Sequence, residues 1–127
     1  MVLSQYLTAV QMAGNVPPQE TGLTCSSWYG KHHTEMIWWH VAHFALWGRE
    51  AFVEEALDWY QRTLPVARRI AASRGLTGAR WPKMVGPEGR ESPGGNPLIA
   101  WNQPQPIALA ELVYRARSSP DRLDRYR

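Results

Sequence analysis

Several things are scarce in this chain, and each scarcity excludes something. There is one cysteine, Cys25, so no intrachain disulfide can form. No apolar run is long enough to span a bilayer: the richest stretch, 36–47, is broken by His40 and His43. The first residues, MVLSQYLTAV, carry no basic leader and place Ser4, Gln5 and Thr8 where a signal peptide would be apolar. These absences predict a soluble, cytoplasmic chain with no membrane partner. Neither GxxxxGK[ST] nor GxGxxG occurs, so phosphate cradling has no support, and Ser92 lacks the turn motif of a nucleophilic serine. Lysine is scarce too: of 14 cations, all but Lys31 and Lys83 are arginine.

What remains is an ordinary globular composition. The chain has 127 residues, 44% hydrophobic and 20% charged, which predicts one domain with a real core. The net charge of +3 and sequence pI of 9.4 raise the question of nucleic acid. The arginines, however, are scattered from Arg49 to Arg127 and interleaved with acids, so they form no basic stripe and no nucleic-acid partner is expected. The expected organisation is a single helical domain over 1–116, followed by a charged tail over 117–127 that frays. The seven tryptophans stand out, because an indole suits both a core and a stacking surface.

Hydrophobic spacing predicts helices over 2–13, about 34–47, about 49–74 and 106–116, with no convincing strand. Thr34 is the expected N-cap of the second helix, which is apolar on almost every side and so asks for neighbours all round. Pro65 is expected to kink or restart the third, and Gly75 to cap it. Segments 15–33 and 76–103 are dense in glycine and proline and read as loops; a loop as long as the second is usually functional or disordered. The expected class is all-α: a helical hairpin with flanking helices.

Three clusters carry candidate chemistry. Glu20 and Glu35, with Glu88 and Glu91 in the second loop, are candidate catalytic acids or bases, although Glu35 also fits a first-turn acid favoured by the helix dipole. His32, His33, His40 and His43 resemble a metal site only in kind. His40 and His43 share a helix face, but no HExxH spacing exists and Cys25 has no matching partner, so no metal is expected. A satisfied polar stripe on an otherwise apolar helix, bonding neighbouring carbonyls or a ligand, is the plainer reading. The second loop collects Arg80, Trp81, Lys83, Trp101, Asn102 and Gln103. With Trp28, Tyr29 and His32 from the first loop, these are candidate substrate-binding residues, since sugars stack their apolar faces on rings and bond their hydroxyls to planar polar groups. Trp81 or Trp101 is expected to touch Trp28 or Tyr29. The bland alternative puts all four rings in the core.

The order of motifs resembles the (α/α)6-barrel catalytic domain of six-hairpin glycosidases, nearest to glycoside hydrolase family 65. The stretches that carry the likeness are Trp28 to Glu35, Thr63 to Arg68 within TLPVAR, and Gly78 to Glu91, which opens with GARWP. The family's Trp–Asp pair before the glutamate is absent, and its aromatic after the loop proline is Lys83 here. The resemblance covers about a third of such a barrel. It implies a fold that is a segment of a toroid, with part of a sugar cleft, and the family's general acid lies beyond the matched region. Two functions follow as expectations: a carbohydrate-processing chain, incomplete as an enzyme for hydrolysis or phosphorolysis, or a non-catalytic module that binds a sugar or its own copy. No cofactor is implied. A lone third of a toroid would expose the 36–47 helix, so a homodimer pairing the Trp-rich helices is expected.

Overall fold

A computed structural model describes residues 2–25, 28–92 and 105–115. Its helices are α1 (Val2–Met12), α2 (Ile37–Leu46), α3 (Glu50–Ser73) and α4 (Gln105–Ala110), the last continuing as a π-helical turn, Glu111–Arg115. The class is largely helical. The expected absence of strands does not hold: His32–His33 (β1) and Met84–Val85 (β2) pair antiparallel, His32 opposite Val85 and His33 opposite Met84. Two-residue strands are too short to show a period-two pattern, and their pairing joins two distant loops.

The core lies between α2, α3 and α4. Ile37, Val41 and Phe44 of α2 meet Val53, Ala56, Leu57, Trp59 and Tyr60 of α3, and Leu109 and Val113 close the third side. Phe52 packs its ring edge-on to Phe44, with centroids 5.1 Å apart. The buried positions of α3 recur at helical spacing through Thr63, Ala67 and Ala71, as its sequence pattern dictates.

Helix ends follow local chemistry, with two corrections. Gly75 adopts φ +70°, and the Leu76 and Gly75 amides return to the Ala71 and Ala72 carbonyls at 3.0 Å each, the expected glycine cap. Gly48 ends α2 in the same way, at φ +68°. Thr34 is not the N-cap of α2. That helix starts at Ile37, because the Thr34 hydroxyl is bonded to the Pro82 carbonyl at 2.6 Å. Nor does a helix restart at Pro65: α3 runs through it. Pro65 lies on the exposed side, where the ring meets solvent rather than a packed neighbour.

The long second loop is ordered as far as it is described. Gly86-Pro87-Glu88-Gly89 makes a turn with proline at its second position, closed by the Gly89 amide on the Gly86 carbonyl at 3.0 Å. The Trp59 indole N–H, donating to the Pro87 carbonyl at 2.7 Å, fastens that turn to α3. Gly89 is required there, since its φ is +79° and a Cβ would lie 2.7 Å from Thr63 Cβ. Among the described residues no helix is long and apolar enough to cross a membrane.

Candidate functional site

The register of the small sheet brings the two loops together. With His33 opposite Met84, the next residues continue the ladder, and the Thr34 amide donates to the Lys83 carbonyl at 2.9 Å. Glu35 is thereby carried alongside Lys83, and its carboxylate accepts from the ammonium at 2.8 Å. The same ammonium stands 5.3 Å from the centre of the Trp28 ring, within the range of a cation–π contact. Trp28 also meets the His33 ring at 6.3 Å. A half-exposed indole, a cation and a carboxylate thus form one patch.

The backbone that presents this patch is unusual. Trp28 (φ 50°), Tyr29 (φ 59°) and Gly30 (φ 68°) are all left-handed, and the Lys31 amide closes the turn on the Trp28 carbonyl at 3.3 Å. Left-handed helical geometry costs an L-residue roughly 1–2 kcal/mol, and aromatic side chains seldom adopt it. Tyr29 is 92% exposed, so burial of its ring offsets none of that cost. Lys31 reaches 5.9 Å from the Tyr29 ring centre.

Histidines hold the floor of the first loop. A carbonyl can only accept, so the His32 Nδ1–H donates to Pro17 at 2.7 Å and the His40 Nε2–H donates to Glu20 at 2.8 Å. His33 likewise donates from Nδ1 to the Lys31 carbonyl at 2.9 Å. Bonding to carbonyls was expected of the histidines, but the expected satisfaction of the stripe is incomplete. Three other ring nitrogens, His33 Nε2, His40 Nδ1 and His43 Nε2, are buried without a hydrogen-bond partner. Burial is the main cause that pushes the His40 pKa below 6.5; the neighbouring His33 and His43 add to it, while Glu20 opposes it. His43 is lowered as well, again by burial, against a bond to the Trp39 carbonyl. Among the described residues no group of three or more His, Cys, Asp or Glu side chains is disposed to hold a metal ion.

Other candidate residues lie away from this patch or have partners elsewhere in the fold. The Trp81 indole donates to Thr63 Oγ1 at 2.9 Å and packs edge-on to Tyr60, 5.3 Å between centroids. Its ring neighbour is therefore Tyr60 and not Trp28 or Tyr29, because α3 offers it both a hydroxyl and an aromatic face. Arg80 is buried, its guanidinium 3.6 Å from Glu91, and Glu91 also accepts from Arg74 at 2.9 Å. Glu88 pairs with Arg90 at 3.0 Å on the surface. Glu20 contributes its backbone carbonyl to the His40 bond. Trp101, Asn102 and Gln103 lie outside the described residues. Lys31 is the one member of the patch that the sequence reading passed over; its position directly after the Trp-Tyr-Gly turn is the signal that could have found it.

No protein-family model matches the chain, and no curated protein or solved structure matches it either.

Proposed function

We propose that the chain is a non-catalytic, carbohydrate-binding helical module whose site is Trp28, Tyr29, Glu35 and Lys83, with Lys31 beside it. The observation that carries this reading is the left-handed Trp28–Tyr29 turn. Two bulky residues are held in a costly conformation, Tyr29 almost wholly exposed and Trp28 half exposed, and backbone strain of this kind clusters at ligand-contacting segments. A pyranose ring would lay its C–H face on an exposed aromatic face, and its hydroxyls would donate to Glu35 and accept from Lys83. The glycosidase resemblance points to the same ligand class, with the α2–α3 hairpin standing for one hairpin of a toroid. Bond cleavage is disfavoured by the ion pairs. An inverting mechanism needs two carboxylates roughly 6.5–9.5 Å apart around a water, yet Glu35, Glu88 and Glu91 each have a cation of their own.

The test is a titration with maltose-, trehalose- and plant-type oligosaccharides, followed by tryptophan fluorescence and amide shifts. Saturable shifts confined to 28–35 and 83 are expected, lost in Trp28→Ala and retained in Ile107→Ala, whose side chain is exposed on α4. No response to any sugar at millimolar concentration would leave the four residues with a structural role only.

A further inference from the structure

Helix α1 is packed with its apolar side outward. Val2, Leu3, Tyr6, Leu7 and Val10 recur at the spacing of one helical face, and all five are exposed, from 48% at Val10 to 81% at Val2. The opposite row, Gln5, Thr8, Ala9 and Met12, is the one turned toward the protein, where Ala9 and Met12 rest against the core. The orientation is held at the C-terminal end: the Leu23 amide donates to Gln11 Oε1 at 2.7 Å, and Gly22 lies so close to the Gln11 carbonyl that a Cβ there would approach it to 2.8 Å. That bond brings the Leu23 backbone to Gln11, next in sequence to Val10, and the Leu23 side chain is itself exposed.

We propose that this row is the contact face of a homodimer, in which α1 of one copy packs antiparallel on α1 of a second about a two-fold axis near Tyr6 and Leu7. Charge selects the occupant. Residues 2–12 contain no acid, lysine, arginine or histidine, and the first charged side chain of the sequence is Glu20. Two copies therefore meet without like-charge repulsion, whereas a partner helix with charged flanks would have to desolvate them unpaired. A lipid surface is a poorer fit, since interfacial helices set Lys and Arg on the polar face, where α1 has Ser4, Gln5, Thr8 and Gln11. Area sets the strength. An aliphatic side chain hides on the order of 100 Å² and an aromatic about 200 Å², so the row with Leu23 offers on the order of 400–500 Å² per copy. That is below the ~800 Å² of a standard interface, so the dimer is reversible and concentration-dependent. This differs from a pairing of the Trp-rich helices, which would use the exposed Trp39 and Leu46 of α2, while Ile37, Val41 and Phe44 lie inside the chain's own core.

Sedimentation equilibrium over about 1–500 µM, the range for a small interface, tests it. The mean mass is expected to climb from 14.5 kDa toward twice that value. The Leu3→Glu/Leu7→Glu variant is expected to stay monomeric with an unchanged far-UV spectrum, and Trp39→Glu/Leu46→Glu to dimerise as the native chain does. Leu7→Cys in a Cys25→Ser background is expected to cross-link under mild oxidation, which keeps the proposal testable if the glutamate variant misfolds. A native chain that is monomeric throughout, a folded glutamate variant that still dimerises, a dimer without the Leu7→Cys cross-link, or a monomer that partitions onto phosphatidylcholine vesicles through α1 would overturn it.

Discussion

At the scale of the residue, the most informative positions are those whose backbone disagrees with their side chain. Gly22, Gly30 and Gly89 adopt positive φ at no steric cost, and Gly22 and Gly89 also leave room for a close neighbour. Trp28 and Tyr29 adopt it against their own preference. Tyr29 makes the cleaner test, because its ring is almost wholly exposed and Lys31 approaches it only to 5.9 Å. Asparagine tolerates the left-handed region far better than tyrosine. Tyr29→Asn is therefore expected to raise stability by roughly 0.5–1 kcal/mol in urea unfolding while weakening sugar binding. A loss of stability instead would show that the ring holds the turn together.

At the scale of the element, the helices obey their local signals, and the exceptions have identifiable causes. α3 is long and carries acids at its start, Glu50 in the first turn and Glu54 and Glu55 soon after, and a glycine beyond its end. Its one discordant residue is Pro65, which cannot donate a backbone hydrogen bond. Because the proline is exposed, its replacement leaves the buried positions of α3 unchanged. Pro65→Ala is expected to stabilise the chain by roughly 1–3 kcal/mol, read as a higher midpoint in thermal unfolding. The two glycine caps, at Gly48 and Gly75, show how little of this depends on the rest of the molecule: each is closed by amides returning to the last turn of its own helix.

At the scale of the whole molecule, two loops far apart in sequence are laid side by side and fastened by histidines below and by α3 above. His40 ties the Glu20 carbonyl to α2, and His32 ties that of Pro17 to the small sheet. These links hold with neutral rings. An acquired proton on His40 Nδ1 would be buried without an acceptor, with His33 and His43 nearby and only Glu20 to favour it. The folded-state pKa of His40 and His43 is below 6.5 and the unfolded chain takes up protons near 6.5, so stability is full above that pH and declines as pH falls through and below it. Urea unfolding from pH 8 down to about 5 is expected to show this decline, and His40→Gln to flatten it. An unchanged slope in that variant would assign the effect to other groups.

The sequence alone determined what is local. Helical spacing located α1, α2, α3 and α4 to within a few residues, and Gly75 marked the end of α3. The bonding of His40 to a carbonyl was also legible, since buried imidazoles usually find a partner, although its second nitrogen has none. Trp28, Tyr29, Glu35 and Lys83 were each legible as ligand-type residues, but not as a set. Only the pairing of His33 with Met84 puts Lys83 next to Glu35, and a contact between residues so far apart leaves no periodic trace in either loop. Tertiary structure also separated residues of one type. Trp81 found Thr63 and Tyr60 on α3 and became core, whereas Trp28 was turned outward by a left-handed backbone that its own side chain disfavours. The outward face of α1 is the same kind of decision. Its apolar pattern was plain in the sequence, but which side faced the core depended on Gly22 and Gln11 fastening the opposite side to the following loop.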